Sequence, residues 1–248
     1  MSVHHPERIQ KVLAQAGVAS RREVEAWIKA GRISVNGREA VPGDRISAGD
    51  KVRLDGELLR LGQAKYQKTR LLAYHKPAGE VCTRKDEKGR ETVFTALPPL
   101  KQGRWISIGR LDINTSGLLL FTNDGDLANR LMHPSGEFTR EYATRVRGMV
   151  SKGTLKKLLE GVILDDGMAQ FDSIHDGGGR GANHWYHVTL HEGRNREVRR
   201  LWESQGITVS RLIRVRFGPC TLPRDLRPGH YRELDRDTIN QVLDAVNK

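Results

Sequence analysis

Apolar residues recur at helical spacing in RIQKVLAQAG, where Ile9, Val12, Leu13 and Ala16 share one face and Gly17 supplies a left-handed stop. A second helix is expected from Ser20, whose hydroxyl forms a capping box with Glu23; Val24, Trp27 and Ile28 turn inward and Gly31 ends it. The period then drops to two. In RISVNGREAV, Ile33 and Val35 alternate with polar residues and Asn36-Gly37 signals a tight turn, and KVRLDG, residues 51–56, reads as a further short strand. The stretch GQAKYQKTR, residues 62–70, has no acidic residue and little apolar character, as a linker would.

Beyond it strands dominate. LLAYHKP, WISIGRL, LLLFTN, EYATRVRG, HWYHVTL and RLIRVRFG are short, rich in branched or aromatic residues, and bounded by turn formers. Three helices interrupt them: DLANRLMH, TLKKLLEG and NREVRRLWESQG, the last with Val198, Leu201 and Trp202 on one stripe. Strands with scattered helices and no regular alternation predict an α+β fold on a mixed or antiparallel sheet flanked by helices. The expected organisation is a small domain over residues 4–62, a linker over 63–70 and a larger domain over 71–248. DGGGRG, residues 176–181, is expected to be a flexible hairpin tip; it lacks the GK[ST] ending of a phosphate loop.

Charge narrows the class of partner. The chain of 248 residues carries 42 Lys+Arg against 30 Asp+Glu, a formal net charge of +12, which favours a polyanionic partner. Basic residues recur in short clusters within patterned segments. No apolar stretch approaches the roughly 18 residues of a membrane span, and MSVHHPERIQ lacks the apolar core of a signal peptide, so a cytoplasmic protein without a membrane partner is expected. Cys82 and Cys220 stand far apart and read as buried thiols.

Most catalytic frames are missing or weak. His184, His187 and His191 lie in a predicted strand whose alternation sets His184 apart from the other two, which argues against a three-histidine metal site. Asp124/Asp126 and Asp165/Asp166 fit magnesium chemistry of a nuclease on paper, but NDGD and LDDG are ordinary turn sequences. There is no GxSxG. Asp112, in GRLDINTSGLLLFTN, differs: it sits on a tight polar loop between apolar strands, where an arginine brought close would hold it in its charged form as base or nucleophile. On spacing alone it also fits a carboxylate that merely bonds loop amides.

Two resemblances bear on that choice. RIQKVLAQAGVASRREVEAWIKAGRISVNG, with the strands up to about residue 60, resembles the S-four-type RNA-binding domain named after a ribosomal protein. It implies that Arg8, Lys11, Arg21, Arg22, Lys29 and Arg32 grip structured RNA through its phosphates. GRLDINTSGLLLFTNDGDLANRLMHP is similar to the signature of the pseudouridine synthases, in the branch that modifies ribosomal RNA and carries such a domain in front. KPAGEVCT, REYATRV and EGRNREVRRLWESQGITVSRLIRVRFGP match further motifs in the family's order.

This second resemblance implies a cofactor-free and metal-free isomerase acting as a monomer on a stem-loop of ribosomal RNA, most closely of the large subunit. It also implies Asp112 as catalytic aspartate, Tyr142 as the tyrosine packed on the uracil, and Arg199 as the basic partner of the aspartate. In the family the aspartate either adds covalently to the substrate or removes a sugar proton. Arg110, Arg194, Arg196, Arg200, Arg214 and Arg216 are the expected RNA contacts of this domain, with Leu111 and Leu118 to Leu120 as candidate apolar walls. Related sequences often read HQ where this chain has Arg196-Glu197, so contacts at those two positions do not carry over. A non-catalytic RNA-binding factor of ribosome assembly is the competing reading.

Overall fold

The computed structural model describes residues 6–61 and 68–247, which form two compact units. Residues 63–67 of the expected linker lie outside the described residues. The first unit extends to Thr69 and includes Pro99–Trp105. Its helices are Ile9–Gln15 and Arg21–Lys29, the second opened by the Ser20/Glu23 capping box, which satisfies two amides that no helical carbonyl reaches. The apolar positions read from the sequence meet here: Ile9, Leu13, Val24 and Ile28 pack with Ile33, Ile46 and Val52 of the strands. Four short strands pair antiparallel in the order Arg38–Glu39, Ile33–Val35, Val52–Leu54, Glu57–Leu58. Asn36 at φ +52° and Gly37 at φ +86° make the first tight turn, as the Asn-Gly pair predicts.

The second unit is built on a nine-stranded mixed sheet. Its main path runs Ser173–Arg180, Asn183–Leu190, Arg140–Arg147, Val209–Phe217, Ser116–Thr122, Leu71–Lys76, Tyr231–Glu233. Val209–Phe217 and Ser116–Thr122 pair parallel; the other neighbours are antiparallel. At that parallel seam Gly117 has φ +107°, and a Cβ there would lie 2.3 Å from the Arg214 carbonyl oxygen, so only glycine admits the pairing. Leu71, Ala73, Leu118 and Leu120 pack with Leu127, Ala128 and Leu131 of helix Gly125–Met132 and Val242 of helix Arg236–Val246. Val198, Leu201 and Trp202 of helix Glu197–Glu203 are buried.

Two expectations need correction. DGGGRG is no loop tip: residues 176–180 belong to the strand Ser173–Arg180, and the turn is Gly181-Ala182. The ladder to Asn183–Leu190 carries the glycines, with a register shift between Asp176 and Gly179. The last helix, Arg236–Val246, was not among the three expected; Asp235 caps it by accepting from the Thr238 amide at 2.8 Å.

Candidate active site

Asp112 lies on the loop between strands Ile106–Ile108 and Ser116–Thr122. Two cations hold that loop from behind. Lys76, at the end of its strand, is fully buried, and its ammonium donates to the carbonyls of Asp112 (3.2 Å), Ile113 (3.4 Å) and Thr115 (2.9 Å), as well as Pro77 (2.9 Å). Arg199, from helix Glu197–Glu203, donates to the fourth loop carbonyl, Asn114, at 2.9 Å and to Val209 at 2.9 Å. Every carbonyl from residue 112 to 115 therefore accepts from a buried cation. The amide of Thr115 closes the turn on Asp112 at 3.0 Å, and Gly79 donates to Ile113 at 2.8 Å. Such a loop is rigid because each of its four carbonyls is tied to a buried cation, and those of Asp112 and Ile113 to a backbone amide as well.

Held this way, the half-exposed Asp112 faces a cleft of about 620 Å³. Tyr142, 9% exposed on the strand Arg140–Arg147, lines the same cleft. Apolar walls come from Leu111, Leu190, Val198, Leu212 and Phe217. Leu118 to Leu120 are not among them; they are sealed in the sheet. Arg110, Arg194, Arg196 and Arg214 line the cleft as well, so four of the six expected cationic contacts converge on Asp112 and Tyr142. Arg196 does so with left-handed backbone, φ +49°, which residues other than glycine rarely adopt and which recurs at functional sites.

The other expectations are modified. Arg199 and Asp112 form no direct ion pair: the charge of Asp112 acts on the guanidinium, but the Arg199 donors go to backbone carbonyls. Burial lowers the Arg199 pKa from its ordinary value, Arg196 lowers it further, and Asp112 acts in the opposite direction. Arg200 is taken up by a two-pronged pair with Asp166, 2.8 Å in each arm, and Arg216 by Glu141 at 3.0 Å, which leaves neither as an open phosphate contact. Arg214 is only 3% exposed; its Nε donates to Leu118 O at 2.8 Å and its Nη2 has no protein partner, so it belongs to the cleft wall and not to an outer surface. Arg194 is partly neutralised by Glu192, with a further bond to Met168 O at 2.8 Å.

Three features in and behind the cleft escaped the sequence reading. Lys76 was visible only as a charge ending an apolar strand before Pro77. Arg140 bonds the carbonyls of Phe138, at 2.9 Å, and His191 beside Tyr142, and burial lowers its pKa. Glu197 is 4% exposed and accepts from the Arg194 amide at 3.0 Å; burial raises its pKa. The acidic pairs are indeed turn and cap residues: Asp124 caps helix Gly125–Met132 and Asp166 meets Arg200. His184, His187 and His191 each pair with a different carboxylate, Asp176, Glu141 and Asp172.

In the first unit, Arg8, Lys11, Arg21 and Arg45 line a groove of about 480 Å³. Arg22 is exposed, whereas Lys11, Lys29 and Arg32 are paired with Glu7, Glu25 and Asp55. No helix among the described residues is long and apolar enough to cross a membrane.

Residues 70–204 match the family described as RNA pseudouridylate synthase, and residues 7–52 match the S4 domain. Among curated proteins, the chain is 57% identical over 241 residues to the ribosomal large subunit pseudouridine synthase B of Pseudomonas aeruginosa, covering 97% of this chain and 62% of that protein. It is 56% identical over 242 residues to the protein of the same name from Escherichia coli K12, covering 97% of this chain and 83% of that one. A solved structure titled as a crystal structure of pseudouridylate synthase superposes with a TM-score of 0.65 at 25% identity, over 95% of this chain and 99% of that one.

Proposed function

The chain belongs to the RNA pseudouridylate synthase family, and from that premise we propose that it isomerises a uridine of large-subunit ribosomal RNA to pseudouridine, with Asp112 as the catalytic group. The observation that carries this reading is the shared cleft: a carboxylate on a clamped loop opens onto the same 620 Å³ space as Tyr142 and five arginines.

The reaction detaches uracil from C1′ at N1, turns it, and rejoins it through C5; atoms and charge balance within the nucleoside once the C5 proton is lost and N1 is protonated. A carboxylate and a closed pocket suffice. Asp112 acts at the ribose, by adding to the substrate or by removing a sugar proton, and its direction is set by Lys76 and Arg199 through the loop carbonyls. Tyr142 stacks on the uracil and keeps the detached ring in place, an interaction worth about 1–3 kcal/mol per base. The nucleotide must leave its stack to arrive, at a cost of a few kcal/mol if it is paired. Arg110, Arg194 and Arg196 at the cleft offset that cost through phosphates, and Arg214 meets the base or its phosphate at the wall.

Residues 4–62 act as the RNA-capturing domain, through the groove that Arg8 and Arg21 share with Lys11 and through the exposed Arg22, while residues 71–248 carry the chemistry. Lys29 and Arg32 lend weaker help because each already faces a carboxylate.

The test is Asp112→Asn in the full chain, incubated with large-subunit ribosomal RNA without added metal. Conversion is expected to fall by about 10³-fold or more while RNA affinity stays within about threefold of wild type. Wild-type conversion by Asp112→Asn would remove Asp112 from the chemistry; RNA binding without conversion by the unaltered chain would leave a binding factor.

A further inference from the structure

The strand residues Tyr142, Thr144 and Val146 face the interior, so Ala143, Arg145 and Arg147 face the opposite side of the same sheet. On that outer face the register sets Arg145 against Trp185 on one neighbour and against Arg211 on the other. One step along, Asn183 lies between Arg147 and Arg180. Arg147, Arg180 and Arg211 are exposed, Arg145 and Trp185 half-buried. The Arg145 guanidinium carbon is 5.8 Å from the centre of the Trp185 ring, and its Nε donates to Ser210 Oγ at 3.0 Å.

The arrangement is unfavourable unless something anionic meets it. Like charges directly opposite on paired strands repel, and Arg145 and Arg211 are such a pair. The nearby carboxylates do not relieve it. Asp176 accepts from His184 at 2.6 Å and the Gly178 amide at 2.7 Å, and Glu141 accepts from Arg216 and His187. None of the four arginines has an ion-pair partner among the described residues.

The glycine run gives the face its shape. A Cβ at Gly177 would lie 3.2 Å from Trp185 Cβ and 3.3 Å from the His187 ring, so the backbone passes close over the tryptophan there with little room for a side chain. A shallow cleft of about 470 Å³ results, lined by Arg145, Gly177 to Arg180, Asn183 and Trp185.

We propose that this outer sheet face is a second RNA-binding surface, separate from the catalytic cleft, in which one unpaired nucleobase stacks on Trp185 and its flanking phosphates lie against Arg145, Arg147, Arg180 and Arg211. A flat sheet carrying one aromatic ring among guanidinium groups suits single-stranded nucleic acid, whose bases stack without sequence demands and whose phosphates repeat at short intervals. The proposal rests on RNA being the substrate and adds to it that the chain holds RNA beyond the target nucleotide. Gly179, whose Cβ would lie 2.3 Å from the Asn183 carbonyl oxygen, is then a packing requirement of this hairpin, and the repulsion of the cross-strand arginine pair is relieved by the bound phosphate.

The experiment uses the full chain with a fluorescently labelled large-subunit ribosomal RNA transcript, comparing wild type with Arg145→Gln/Arg211→Gln and with Trp185→Leu. The double variant is expected to raise the dissociation constant at least about tenfold and to reduce the log–log salt dependence by about one and a half to two, close to one per lost phosphate contact. Trp185→Leu is expected to weaken binding about 5- to 150-fold with little change in that slope. Single-turnover conversion at saturating RNA should stay within about twofold in both, and the thermal midpoint of the double variant should not fall, since a repulsive pair has been removed. Wild-type affinity and slope in both variants would overturn the proposal, as would unchanged RNA affinity with lost binding to phosphatidylserine vesicles, which would give the face to lipid. Conversion by the wild-type chain is the control: its absence tells against the catalytic reading, whereas its presence beside unaltered binding by the variants tells against the sheet face alone.

Discussion

The Lys76 ammonium lies 2.9 Å from the carbonyl oxygen of Thr115, 39 residues further along the chain, and no part of the lysine reaches solvent. Burial pushes its pKa below the ordinary lysine value, while Cys82, Glu80 and Asp112 act against that shift. A buried charge of this kind costs stability unless its donors are used, and here they meet four carbonyls. Three of those belong to the loop that carries Asp112, so the lysine converts desolvation of its own charge into rigidity of the catalytic turn.

Lys76→Met is therefore expected to take the ammonium from the Pro77 and Thr115 carbonyls and to leave those of Asp112 and Ile113 with their backbone amide donors alone, lowering stability by about 2–4 kcal/mol. The loop then loses its fixed geometry, and single-turnover conversion should drop at least about tenfold while the RNA dissociation constant stays within about threefold. Stopped-flow conversion and denaturant titration of the same preparation separate the two effects. A variant that is less stable yet converts at the wild-type rate would confine Lys76 to the core.

This clamp also marks where sequence reading ended. Helices at Ile9–Gln15 and Arg21–Lys29, and the strand pairs around Asn36-Gly37, follow from local periods and turn chemistry. Asp112 and Tyr142 were reached through the family resemblance, and spacing alone left Asp112 open. What joins them was not legible, because Lys76 and Arg199 reach the loop across 36 to 85 residues of chain. Arg200 and Arg216 read as open cations for the same reason: the carboxylates that occupy them, Asp166 and Glu141, are 34 and 75 residues away. DGGGRG misled in the other direction. Glycine has poor strand propensity, and its place in the sheet is dictated by the partner strand Asn183–Leu190.

Gly117 sits at the parallel seam between Ser116–Thr122 and Val209–Phe217, with φ +107°. A methyl group there meets the Arg214 backbone at 2.3 Å from O and 2.6 Å from N, neither of which is the end of a flexible side chain. Gly117→Ala must therefore open the seam or distort a strand, and a loss of at least about 3 kcal/mol is expected from the clash and the unfavourable φ together. Because the seam fixes Arg214 beside the Asp112 loop, activity should fall with stability. Gly117→Ala with a wild-type melting curve would show that the seam yields.

Glu197 provides a pH test. Burial raises its pKa above the ordinary 4.5, against the opposing effects of the Arg194 amide and the charges of Arg194 and Arg200. The folded chain thus holds this proton more tightly than the unfolded chain, so the contribution to stability declines as pH rises from 4.5 through the raised value, and the penalty is complete above it. Glu197→Gln keeps an acceptor for Arg194 and removes the ionisation. Its stability relative to wild type should grow as pH is raised from about 4 to about 8, read as a difference in thermal midpoints. A difference that does not change with pH would mean that Glu197 ionises without penalty.

Tyr142 is flanked in the sheet by Val188 and Arg214 and shows 9% of its surface to the cleft. A ring in that position acts on the uracil through its face, and a hydroxyl acts through a hydrogen bond; two variants separate these. Tyr142→Phe retains the ring and should convert uridine within about tenfold of wild type. Tyr142→Leu keeps apolar bulk in the strand but loses the stacking surface, worth about 1–3 kcal/mol, so conversion should fall by about 5- to 150-fold. The loss should appear in single-turnover rate more than in RNA affinity, since phosphate contacts elsewhere hold the RNA whether or not the base is stacked. Equal, large losses in both variants would transfer the role from the ring to the hydroxyl, and wild-type rates in both would return Tyr142 to the core of the sheet.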